Sequence, residues 1–163
     1  MPILALLLAA GTVPPTPDCR PAQLRLSVDR DHYDFNGMSH SRVALSIRNV
    51  GHDCWLPALP RVVFRDARGR PLPAIRRAPP GMHSGPVMVP VHLSGGHRAE
   101  LTLRWVSGDV FSHGRNLRAR SVTVQVGTAT LHVPLDVTLY GEAGKAVMFD
   151  QTPARAMEGM AAG

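Results

Sequence analysis

Asn49-Val50-Gly51-His52-Asp53-Cys54-Trp55 closes an alternating run, turns at a glycine, and leads into a cysteine followed by a tryptophan. Arg42 to Arg48, just before it, sets Val43, Leu45 and Ile47 on one face and Arg42, Ala44, Ser46 and Arg48 on the other. That period of two is the signature of a strand with one buried face. Upstream, Gln23 to Val28 alternates in the same way through Leu24, Leu26 and Val28, and Asp29 to Ser41 reads as a polar loop with Asn36-Gly37 as its turn signal. Downstream, Pro57 and Pro60 lack ladder donors, so Leu56 to Pro60 is expected to cross a sheet edge before Arg61 to Arg65 extends again.

The remaining chain repeats this grammar. Asp66-Ala67-Arg68-Gly69 is a turn into a short strand near Leu72, and Pro73 to Pro86 reads as a long loop. Val87 to Leu93 and Arg98 to Trp105 flank Ser94-Gly95-Gly96-His97, which predicts a hairpin. Ser107 to Arg118 reads as a polar loop, then Ser121 to Val126 and Thr130 to Leu139 alternate around Gly127-Thr128. Short strands separated by regular turn signals predict an all-β fold, an immunoglobulin-like antiparallel β-sandwich of about seven to nine strands. Its core is expected to include Leu26, Val43, Leu45, Ile47, Leu101, Leu103, Val122, Val124, Val133 and Leu135.

At 163 residues the chain has room for one domain. Residues 1–11 read as a signal peptide, with an apolar run from Ile3 to Ala10, small residues at Ala9-Ala10-Gly11, and no basic residue ahead of the run. Residues 12–18 are a Pro-rich lead-in, 19–140 the sandwich, and 141–163 an edge strand and mobile tail. The apolar run is well short of the roughly 20 residues a membrane span needs, so no span is expected in the mature protein. Thr16-Pro17-Asp18 is unlike the small, apolar lead of a lipid-attachment cysteine, which argues against Cys19 being one. Two cysteines, Cys19 and Cys54, in a small exported domain predict one disulfide. Closing a loop of about 35 residues is worth on the order of 3 to 4 kcal/mol in the chain-entropy account.

Cys19 ahead of the first strand, Asn49-Val50-Gly51 leading to Cys54, Leu56-Pro57-Ala58-Leu59-Pro60 and Asp66-Ala67-Arg68-Gly69 occur in that order, followed by Leu93-Ser94-Gly95-Gly96-His97-Arg98-Ala99 leading to Trp105. This set resembles the domain-of-unknown-function 4232 family of exported bacterial proteins over roughly residues 19 to 140. Ala58 stands where that family commonly has glycine, Trp55 is large for its place, and a second cysteine pair is absent between Val106 and Arg118. The resemblance implies export and fold, and no chemistry.

Eight histidines and seven methionines raise a soft-metal reading, in which Met38, His40, Met82, His83, Met88 and His92 hold copper. The plainer reading is scattered loop histidines and gap-filling methionines. Asp109, Ser112 and His113 share one loop and lack the separate rigid supports a triad needs. Gly141 to Lys145 has neither the spacing nor the hydroxyl residue of a phosphate loop. The formal charge of +6 is carried almost wholly by arginine, Lys145 being the one lysine. Arg25, Arg42, Arg48, Arg98 and Arg104 fall on polar strand faces without interleaved aromatics, which argues against nucleic acid, and Arg76-Arg77 forms a short basic patch. The expectation is therefore a non-enzymatic envelope module without cofactor, whose partner is an unidentified envelope protein or an anionic polymer met on an arginine-bearing surface without a deep pocket.

Overall fold

The computed structural model describes residues 15–29, 35–36, 39–78 and 88–158. The signal-peptide reading and the residues Met38, Met82 and His83 lie outside the described residues.

The alternation of residues 42–48 becomes the central strand β3 (His40–Asn49), paired antiparallel on one side with β1 (Leu24–Asp29) and on the other with β8 (Arg98–Val106). The register sets Val43 opposite Leu103, Leu45 opposite Leu101 and Ile47 opposite Ala99, so that every apolar pair falls on one face. A two-residue β2 (Phe35–Asn36) adds to the start of β3. A second sheet runs β10-β9-β5, from β5 (Arg61–Arg65), β9 (Gly114–Val126) and β10 (Ala129–Glu142). Gly127, at a φ of 59°, makes the tight turn between β9 and β10. A separate ribbon pairs β4 (Cys54–Leu56) with β7 (Val91–Leu93). One hydrophobic cluster draws on all three sheets, through Val43, Leu45, Ile47, Leu101 and Leu103, then Phe64, Val122 and Val124, then Leu56 and Leu93. Phe64 packs edge-on against both Trp105 and Phe149.

Several expectations are corrected. The hairpin across Ser94 to His97 does not form: β7 pairs with β4 and β8 with β3, in different sheets. The turn itself exists, but its main chain is bound by Asn49, whose N–H donates to His97 O (2.9 Å) and whose carbonyl accepts from Gly96 N (2.8 Å). Residues 107–118 are a loop only as far as His113, because β9 begins at Gly114. Within residues 73–86, β6 (Ala74–Arg76) is a strand, and it pairs parallel with β11 (Val147–Gln151), which departs from the wholly antiparallel expectation. The edge strand and mobile tail expected over 141–163 are corrected for residues 141–158, while 159–163 lie outside the described residues. β11 lies inside the large sheet between β8 and β6, and β12 (Arg155–Met157) pairs with the first residues of β8. Between them Thr152 continues the ladder, donating its N–H to Thr102 O (3.0 Å) and accepting the Thr102 N–H on its hydroxyl (2.8 Å). Leu26 and Val133 are only half-buried against the cluster, while the other expected core residues are buried.

Candidate functional site

The corner after β3 is built by one side chain. Asn49 is fully buried, and its amide donates to His52 O (2.8 Å) and Leu93 O (3.0 Å), with Cys54 Sγ at 3.5 Å. Its carbonyl oxygen accepts from Gly51 N (2.9 Å) and from Gln23 Nε2 (3.1 Å). An asparagine fits here because the corner offers both orphan carbonyls and orphan N–H groups. Gly95 presses in from the other side: a Cβ there would lie 2.5 Å from Gly51 O. The Cys19–Cys54 disulfide, as expected, ties the lead-in to this corner, and Cys19 N donates to Trp55 O (2.9 Å).

Outside the corner, Trp55 is 37% exposed and meets the His92 ring edge-on at a centroid distance of 5.0 Å. His92 Nε2 lies 3.6 Å from Asp53 Oδ2. His40 begins β3, at the end of the strand remote from Asn49. A ten-residue strand spans about 30 Å, so His40 and His92 are not brought together. Met88 is half-buried ahead of β7. Among the described residues no group of three or more His, Cys, Asp or Glu is placed to hold a metal ion. Asp109, Ser112 and His113 are all exposed before β9. Arg76 ends β6 and Arg77 follows it, with Arg77 Nε 3.6 Å from Asp150 Oδ1.

The strongest charge cluster is one that sequence reading missed. β9 extends to Gly114, so Arg118 and Arg120 stand on a strand, on the outer face of the smaller sheet. Both reach Asp136 of β10, Arg120 Nη1 at 2.6 Å and Arg118 Nε at 3.5 Å. Arg65 of β5 donates to Thr123 Oγ1 (3.2 Å) and Gly69 O (2.9 Å). Arg68 and Arg70 sit on the turn beside it, Arg70 held by Asp66 at 2.8 Å. Asp66, Arg68, Arg70, Arg118 and Arg120 together line one open depression of about 410 Å³. The Asp66 carboxyl is held below its usual pKa, first by the main-chain N–H of Arg70 and, against opposing desolvation, by the Arg70 guanidinium and the Arg68 N–H. The signal for this cluster was present, since Asn116, Arg118 and Arg120 alternate with Leu117 and Ala119.

A family model described as Domain of unknown function (DUF4232) matches residues 19–158, taking in the disulfide, the Asn49 corner and both late strands β11 and β12. The chain belongs to this family. No curated protein and no solved structure matches it. The DUF4232 match runs past residue 140 to the end of the large sheet, in agreement with the pairing of β11 and β12 to β8. Among the described residues of this DUF4232 chain, no helix is long and apolar enough to cross a membrane.

Proposed function

We propose that this chain is an exported, non-enzymatic, immunoglobulin-like β-sandwich module of the bacterial cell envelope that holds an anionic polymer against the outer face of its smaller sheet. The observation that carries this reading is the arginine cluster: among the described residues, Arg65, Arg68, Arg70, Arg118 and Arg120 share that region with two carboxylates, Asp66 and Asp136. Such an excess of positive charge on an open surface attracts polyanions and gives them no enclosed pocket, which suits a repeating ligand better than a small one. Guanidinium groups already braced by Asp66, Asp136 and Thr123 lose less side-chain freedom when an anion arrives. The disulfide supports an oxidising compartment, because such a bond persists poorly in a reducing one. The soft-metal alternative draws no support, since among its described members His40 begins β3 while His92 lies on β7, beside the corner at the far end of that strand.

The test is binding of polyphosphate and of poly-glutamate to the full chain, followed by titration calorimetry. Affinity is expected to fall as salt rises and to drop about tenfold or more on Arg118→Glu with Arg120→Glu. Binding indifferent to both salt and the double substitution overturns the polymer reading. Recovery of the protein in a cytosolic fraction with Cys19 and Cys54 freely alkylated overturns export.

A further inference from the structure

We propose that the groove between β5 and β6, which end their sheets among the described residues, receives an extended, carboxylate-bearing peptide segment of another protein, which adds to β6 as a strand and donates an amide N–H to Gln151. This site is separate from the arginine cluster of the smaller sheet and does not depend on it.

The two sheets part along this side of the molecule, because β5 ends one and β6 ends the other. The chain crosses between them at Pro71 and Leu72, where Leu72 N donates to Phe64 O (2.8 Å), and so closes one end of the gap. What remains is a groove of about 520 Å³ with Val62, Leu72 and Phe149 among its lining and Arg61, Ile75 and Arg76 at its rim.

Gln151 supplies the observation that points to a ligand. It is 8% exposed, and its Nε2 donates to Pro60 O (2.8 Å), which fixes the amide and turns Oε1 the other way. That oxygen is buried and has no hydrogen-bond partner among the described residues. Gln151 is among the residues lining the groove, and because a buried acceptor left unpaired costs about 1 to 3 kcal/mol, a small turn that brings Oε1 to an N–H donor there is favoured. A peptide main chain carries such a donor at nearly every residue.

β6 offers the rest of the ladder. Arg77 N donates to Phe149 O (2.7 Å), so by strand parity Ile75 and Arg77 face β11. The main-chain N–H and C=O of Arg76 then face the open edge, as an incoming strand requires. Ile75 is 53% exposed at the same edge and gives an apolar contact for alternate residues. Among the described residues neither Arg61 nor Arg76 has a carboxylate partner, unlike Arg77, which is held by Asp150. Two unpaired guanidinium groups at the rim select acidic side chains. A merely blunted sheet edge accounts for the charge, but not for a buried acceptor beside it.

The experiment uses the full chain and fluorescence anisotropy with a labelled peptide of alternating glutamate and valine. Controls are the same peptide with lysine for glutamate, and the glutamate peptide N-methylated on alternate amides. Saturable binding of the first peptide alone is expected. Arg61→Glu with Arg76→Glu is expected to weaken it by about tenfold or more. Gln151→Met, which keeps the volume and removes the acceptor, is expected to weaken it several-fold. Arg76→Pro is expected to lose more than Arg76→Ala, because only proline also deletes the outward N–H. Near-UV circular dichroism confirms that each variant is folded. No saturable binding by the natural chain, equal binding of the N-methylated peptide, or indifference of folded Gln151→Met overturns the proposal. Arg118→Glu with Arg120→Glu is expected to leave peptide binding unchanged, so this site and the polymer face fail independently.

Discussion

Asn49 concentrates more structure in one side chain than any other polar residue of the corner, since it satisfies groups from the 49–52 turn, the end of β7 and Gln23. Asn49→Ala would leave Leu93 O and His52 O without this donor in a buried place, and is expected to lower stability by about 2 to 4 kcal/mol in urea unfolding. A change below a few tenths of a kcal/mol would show that water replaces the amide freely. Asp66 makes a different kind of residue-scale prediction. Its folded carboxyl has a lowered pKa, so its contribution to stability is present at neutral pH and is lost as pH falls through that lowered pKa. The stability difference between the natural chain and Asp66→Asn is therefore expected to shrink on acidification, and a carboxyl titration by NMR should find Asp66 below the usual aspartate range. Asn49 was legible as a turn residue from Asn49-Val50-Gly51, but its partners Leu93 and Gln23 were not, because they arrive from distant parts of the chain.

At the scale of elements, reading succeeded wherever a strand buries a single face in one phase. β1 and β8 show this, and their alternation marks them correctly; β3 keeps its inward phase, but Ala44 and Ser46, expected on its outward face, are buried as well. β9 shows the opposite case. Leu117 and Ala119 point inward at odd positions, whereas Val122, Val124 and Val126 point inward at even ones. The phase changes at the bulge between Pro134 and Val137 of β10, where Pro134 pairs with Ser121 and Val137 with Ala119. One unbroken period stops at that change, which is why residues 107–118 read as a loop and the strand only starts at Ser121, leaving Arg118 and Arg120 outside it. The short ribbon β4–β7 is too small to hold itself, and the disulfide fastens it to the lead-in through Cys19. Cys19→Ala with Cys54→Ala is expected to cost on the order of 3 kcal/mol and to raise proteolysis first around residues 15 to 23. Uniform loss of protection across β3 and β8 would mean instead that the bond supports the whole core.

For the whole molecule, the late strands decide the architecture. Val147 is fully buried and Phe149 nearly so, and β11 fills the space between β8 and β6. A chain ending after Glu142 is therefore expected to be unfolded or molten, with near-UV circular dichroism lost. A native-like spectrum from that truncation would restore the view of 141–163 as an appendage. The amino-acid order by itself determined the class of fold, the buried faces of the regular strands, the cysteine pair and the family, because each depends on local period, spacing or count. Apart from the β9–β10 hairpin around Gly127, tertiary structure alone decided which strands are neighbours. Ser94 to His97 reads as a hairpin in isolation, yet Asn49 takes its main-chain groups and sends β7 and β8 into different sheets. The same cause hid both candidate surfaces. The arginine cluster needs β5, β9 and β10 side by side, and the groove needs the last strands of two sheets to part at Pro71. Neither juxtaposition is written in any run of adjacent residues, since main-chain hydrogen bonding selects strand partners with little regard to side-chain identity once an apolar face is buried.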